Sequence, residues 1–188
     1  RRAGSDASGD VVASTFNAQG VLQSTNVLDA SGLQTSTTYS PDGSSTSKTT
    51  ATDGSYSIAA RTAGGDITTT QFSAEGLKLS DTWTRSDGAS GSDTFNADGS
   101  YTGNVTYADG STATVTSASG TVTTAHFNAD GSAAGRTVTI TNAGNVTTTQ
   151  YDADGQMEGP SWIHADGTTG TNDAPEIAQP LQDQQAAQ

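Results

Sequence analysis

The sequence predicts an all-β fold, an elongated and repetitive stack of short strands joined by tight turns, either hairpin-connected or wound as a solenoid. Three observations predict it. A motif of the form aromatic-x-Ala/Pro-x-Gly occurs six times, beginning at Phe16, Tyr39, Phe72, Phe95, Phe127 and Tyr151. Turn glycines recur every 10 to 13 residues from Gly20 to Gly167, and Asp immediately precedes eight of them. Between those turns apolar and polar residues alternate with period two, as on a half-buried strand.

The six aromatics stand 23, 33, 23, 32 and 24 residues apart, so a unit of 55 to 56 residues begins at Phe16, Phe72 and Phe127. This divides the chain into a repeat domain at 16–170, with units 16–71, 72–126 and 127–170. Flanking it are an N-terminal linker or interaction tail at 1–15 and a C-terminal linker at 171–188. Each Asp-Gly pair reads as a tight connection, because Asp accepts turn hydrogen bonds through its own side chain and Gly supplies positive φ. In 111–117, Ala113 and Val115 share a face opposite Thr112, Thr114 and Thr116. In 136–141, Val138 and Ile140 oppose Thr137, Thr139 and Thr141, and in 101–107 Tyr101, Gly103, Val105 and Tyr107 share a face. No window places apolar residues at three-and-four spacing, and a glycine at each turn would interrupt a helix. A strand of about seven residues and a turn of about four fill the 11-residue beat, which gives roughly 14 strands. Asp-Gly turns join antiparallel neighbours directly, so hairpins are favoured over a coil of one 23-residue turn per winding. The six strand-end aromatics (Phe16, Tyr39, Phe72, Phe95, Phe127, Tyr151) are expected to form a structural ladder, each ring buried against the next repeat.

Composition narrows the function. Of 188 residues, 33 are Thr, 22 Gly and 26 Ala, with seven Lys+Arg against 20 Asp+Glu and a formal net charge of -13. The basic residues are scattered, so no patch for nucleic acid is expected. No apolar run is long enough to span a membrane. The absence of Cys removes disulfides, zinc-thiolate sites and thiol catalysis together. The opening Arg1-Arg2-Ala3-Gly4-Ser5-Asp6 has no apolar segment of a signal peptide, and the chain reads as an internal piece of a longer protein.

Asp152-Ala153-Asp154-Gly155, with Asn96-Ala97-Asp98-Gly99 and Asn128-Ala129-Asp130-Gly131, has the look of a shortened calcium loop, since a hard cation wants several oxygens within one turn. Asp152, Asp154, Asp98 and Asp130 are therefore the metal candidates, and calcium the one cofactor they would suit. Against it stand Gln19 and Glu75 at the equivalent position of two copies, and the plain alternative of a hairpin turn. His126 and His164 lie at different places in the repeat with no nucleophile beside them, so neither belongs to a hydrolytic triad and no catalytic residue is assigned. Thr-x-Thr stripes would suit ice, and the aromatics with Trp83 and Trp162 would suit sugar; solvent-facing strand residues and a ring ladder are the plainer readings.

The run 77–100, from Leu77 through Trp83, Asp87-Gly88 and Phe95 to Asp98-Gly99-Ser100, is echoed by Trp162-Ile163-His164-Ala165-Asp166-Gly167. It resembles the Asp-Gly-rich repeat regions of very large secreted bacterial adhesins of the RTX type. The tail Asn172-Asp173-Ala174-Pro175-Glu176-Ile177 to Gln184 resembles the opening strand of a cadherin-like, dystroglycan-type domain. The resemblance implies an extracellular or cell-surface bacterial location and a part in adhesion, biofilm or the spacing of other domains. The Gly-Gly-x-Gly-x-Asp nonapeptide of that family is absent, and Gly64-Gly65-Asp66 is an isolated fragment of it. The expected function is thus a non-enzymatic stalk, spacer or assembly unit whose partners are neighbouring copies, joined head to tail, or flanking domains. A calcium-dependent module and a carbohydrate- or ice-binding surface are the alternatives.

Overall fold

A computed structural model describes residues 2–5 and 8–171. They form sixteen strands and no helix, in a sheet whose spatial order is the order of the sequence. The strands run β1 (Arg2–Ser5), β2 (Val11–Phe16), β3 (Leu22–Leu28), β4 (Gln34–Tyr39), β5 (Ser45–Thr50), β6 (Tyr56–Arg61), β7 (Ile67–Phe72), β8 (Lys78–Thr84) and β9 (Ser90–Phe95). They continue as β10 (Tyr101–Thr106), β11 (Thr112–Ala118), β12 (Thr121–Phe127), β13 (Ala133–Asn142), β14 (Asn145–Tyr151), β15 (Met157–Ile163) and β16 (Thr169–Thr171). Sequential antiparallel pairing selects the hairpin alternative over the wound coil. The count exceeds the roughly 14 expected from the beat, because β1 precedes the first turn glycine of the series and a short β16 follows the last. Residues 1–15, expected as a linker or tail, contribute β1 and most of β2, paired from Arg2↔Ser14 to Ser5↔Val11. The described residues form two compact units, one reaching to Gly99 and taking in Gly103–Ala108, the other made of Ser100–Thr102 and the described residues from Asp109 onward. The resemblance to a cadherin-like opening strand falls on 172–184, outside the described residues.

Two kinds of turn close the hairpins. In the common one, illustrated by 40–44, the Ser40 amide donates to the Ser44 carbonyl at 2.9 Å and the Gly43 amide to the Ser40 carbonyl at 3.1 Å. Gly43 has φ 87°, the left-handed conformation such a turn demands. The third residue locks it: Asp42 Oδ1 accepts from the Ser44 amide at 2.9 Å and the Ser44 hydroxyl at 2.7 Å. The same bonds recur at Asp53-Gly54-Ser55, Asp109-Gly110-Ser111, Asp130-Gly131-Ser132 and Asp166-Gly167-Thr168. The second kind is a two-residue turn with both φ positive, at Ser119-Gly120 (50°, 78°) and Ala143-Gly144 (48°, 84°).

Each of the six motif aromatics is the last residue of its strand, at the ends of β2, β4, β7, β9, β12 and β14. Immediately before Phe16, Phe72, Phe127 and Tyr151 the register with the following strand shifts by one residue, a bulge that ends regular pairing where the turn begins. The expectation of one buried ladder needs correction. Registers carried through β2 to β7 put Phe16 and Tyr39 on one face of the first unit, and Tyr56 and Phe72 on the other. A six-residue strand begins on one face and ends on the other, so strand-final positions alternate between faces from one strand to the next, and two of them lie on opposite faces when an even number of such strands intervenes. Phe16 and Tyr39 are 37% and 38% exposed, and Phe72, Phe95, Phe127 and Tyr151 are half-buried. Among the described residues only Asp81, Ala89, Gly103 and Ala113 are buried, and no large side chain is fully enclosed. One layer of sheet shelters a ring from one side only.

Candidate functional site

With no enclosed core, the rings find cover from the chain's own cations. Lys48 Nζ lies 4.1 Å from the Tyr56 ring centre, Lys78 Nζ 4.1 Å from Phe95, Arg136 4.3 Å from Tyr151, Arg85 5.2 Å from Trp83 and Arg2 5.8 Å from Phe16. Five of the seven basic residues are used this way, and their scatter along the sequence follows from it. Such contacts contribute about 0.5 to 1 kcal/mol each at exposed sites, and the aliphatic stems also cover apolar surface. Tyr56 and Phe72, direct cross-strand partners, stack at 4.8 Å and 13°.

Both tryptophans lie over glycine. Trp83 faces Gly91 across β8 and β9, and Trp162 faces Gly170 across β15 and β16. A Cβ on Gly91 would stand 2.5 Å from the Trp83 indole, and one on Gly170 would overlap Trp162. The spacing is the same in both cases, Trp-x7-Gly spanning an Asp-Gly turn, so this pairing was readable once the two runs were aligned. Arg85 joins Trp83 to the neighbouring turn, its Nη1 3.4 Å from Asp66 Oδ2, while Asp66 Oδ1 accepts from the Ser86 amide at 2.9 Å. Asn145 makes the corresponding tie to the Ala165 amide at 3.0 Å, beside His164, whose ring tilts against Trp162 at 4.4 Å. Trp83→Ala should therefore lower stability by about 2 kcal/mol, roughly half the loss for an enclosed Trp. Urea unfolding measures it, and a loss under about 0.5 kcal/mol would show that the ring shelters nothing.

The calcium candidates are turn residues. Asp130 Oδ1 accepts from the Ser132 amide at 2.9 Å and its hydroxyl at 2.6 Å. Asp152 opens its turn and accepts from the Asp154 amide at 3.0 Å and the Gln156 amide at 2.8 Å. Asp98 and Asp154 occupy the third place of their turns, before Gly99 and Gly155. Among the described residues no three Asp, Glu, His or Cys side chains come together as metal ligands. Local hydrogen bonds hold the carboxyls of Asp29, Asp42, Asp53, Asp109 and Asp130 below the ordinary range, led by the hydroxyl of the serine two residues on.

One charged cluster was not foreseen. Asp81 and Asp93 are direct cross-strand partners on β8 and β9. Asp81 is 9% exposed, its Oδ2 paired with Lys78 and its buried Oδ1 without a hydrogen-bond partner. The Asp93 carboxyl covers the α-carbon of Gly103 on β10, where a Cβ would collide with it. Burial raises the Asp93 carboxyl above the ordinary range, a hydrogen bond to Asp81 and the Asp81 charge push the same way, and Lys78 opposes them. A face-to-face pair of this kind holds one proton more readily than two charges. The sequence signal was weak: two Asp twelve residues apart, neither preceding a glycine.

No protein-family model matches the chain, and no curated protein matches it in sequence.

Proposed function

We propose that the chain is a non-enzymatic structural repeat module, a stalk, spacer or assembly unit of an extracellular bacterial surface protein or fibre. The observation that carries the reading is pairing strictly in sequence order. Each strand depends only on its neighbours, so strands add or drop without redesign of a common core, and stability accumulates by nearest-neighbour contact. Cover of the rings by the chain's own cations supports a surface that persists by itself, and the likeness to adhesin repeats supports the extracellular setting. The strand edges of β1 and β16 are where further copies or flanking domains would join head to tail by strand addition.

A length-setting module makes a specific prediction. Duplicating 72–126 within the full chain adds five strands, and at about 4.8 Å per strand the maximum dimension from X-ray scattering should grow by about 24 Å. Unchanged dimension with intact β circular dichroism would sink the spacer reading. Calcium is tested alongside it: a thermal midpoint that moves by several degrees with millimolar calcium and returns on chelation would replace the spacer with the calcium-dependent module.

A further inference from the structure

Among the described residues, the paired positions on one face of the second unit carry no fixed charge. Cross-strand rows Val115–Thr124–Thr137 and Val122–Thr139–Thr148 run through β11 to β14 on that face. Ser117 and Ser161 extend the second row at its two ends, and among the described residues His126 is the only titratable side chain at the paired positions of this face. The opposite face holds Phe127, Arg136, Tyr151 and Trp162. Among the described residues the acidic groups of this unit stand in turns, as Asp109, Asp130, Asp152, Asp154 and Asp166, or at the bulge, as Glu158. Two hydroxyls of the neutral face meet, Thr139 Oγ1 lying 3.1 Å from Thr148 Oγ1.

We propose that this neutral threonine and valine face is a docking surface for the same face of a second copy, so that two sheets stack as a two-layer sandwich. A sheet is stable when at least one face lies against another layer, and this chain encloses almost nothing by itself. A copy carrying a net charge of -13 approaches an identical copy most easily where neither presents fixed charge; the paired positions of this face hold none, whereas those of the opposite face include Arg136. Short side chains of similar height suit a self-complementary contact between aligned sheets about 10 Å apart. The Thr139 and Thr148 hydroxyls lose little on drying, because they keep each other as partners. Five strands about 4.8 Å apart and about 23 Å long offer roughly 550 Å² per copy, about 1,100 Å² for two, just above what a specific interface needs.

The contact lies beyond the head-to-tail joining proposed above, and one experiment separates them. Sedimentation equilibrium of the full chain should show a species of twice 18.9 kDa forming with concentration. Thr137→Glu, which puts two like charges into the contact, should weaken association at least about tenfold, and Thr147→Glu on the opposite face should not. Because the chain has no Cys, Thr137→Cys and Thr147→Cys give a second readout that does not rely on a disruptive charge. Thiol labelling at Thr137→Cys should slow as protein concentration rises, while Thr147→Cys stays constant. A strictly monomeric chain, equal effects of the two Glu variants or equal labelling would overturn the stacked pair. Association that survives Thr137→Glu with both thiols open would instead be the strand-edge joining, with the stacked pair still overturned.

Discussion

Gly135→Ala should lower stability by about 3 kcal/mol, while Gly131→Ala, four residues earlier, should cost about 1 kcal/mol. Both glycines have positive φ, 104° at Gly135 and 82° at Gly131, so each substitution forces an alanine into a disfavoured backbone conformation. The difference lies in what the new methyl meets. At Gly131 nothing stands within 4 Å, and the turn can absorb the change. At Gly135 the Cβ would fall on the carbonyl oxygen of Tyr151 and within 3.5 Å of the Asp152 backbone. Backbone inside a ladder cannot swing aside as a side chain can. Gly135 pairs with His126 next to the register shift before Phe127, so its conformation is part of the bulge that ends β12 pairing. Urea midpoints of the two variants provide the comparison. Equal losses would mean that the close approach at β13 and β14 is relieved at no cost, and that the bulge does not depend on glycine.

The strands and turns were legible because their chemistry is local. An Asp-Gly-Ser turn is specified by three adjacent residues, and alternation such as Thr137 to Thr141 needs only the pleat. Strand order followed from the same local fact, since a tight turn leaves the next strand nowhere to pair but beside its predecessor. The ring ladder was only half legible. That Phe16, Phe72, Phe127 and Tyr151 end their strands could be read from the shared distance to the turn glycine. Which face each ring occupies depends on summed strand lengths and bulges, and an error of one residue anywhere reverses it. Cation cover and the Asp81–Asp93 pair depend on cross-strand register in the same way. Lys78 and Phe95 are 17 residues apart in sequence and meet only after β8 and β9 are aligned.

Stability of the folded chain should peak in mild acid and fall on both sides, with Asp93 responsible for the decline toward neutral pH. The acid limb comes from the turns. Folded-state carboxyls of Asp29, Asp42, Asp53, Asp109, Asp130 and Asp166 titrate below their ordinary 3.8, so their contribution is present above that value and is lost as pH falls through the lowered values. The alkaline limb has the opposite sign. Asp93 titrates above 3.8 in the folded chain, so the fold binds its proton better than the unfolded chain does. That contribution is complete below 3.8 and is lost as pH rises through the raised value. Above it, two carboxylates face each other across β8 and β9 with only Lys78 to offset them, and like charges directly opposite on a sheet cost up to about 1 kcal/mol. Asp93→Asn keeps the shape, removes the charge and offers an N–H to the unpartnered Asp81 Oδ1. It should stabilise the chain by about 1 kcal/mol at neutral pH and flatten the alkaline limb, leaving the acid limb unchanged. Urea midpoints from about pH 3 to 8 for the two proteins decide it. If Asp93→Asn keeps the same decline toward neutral pH, the proton does not reside on this pair.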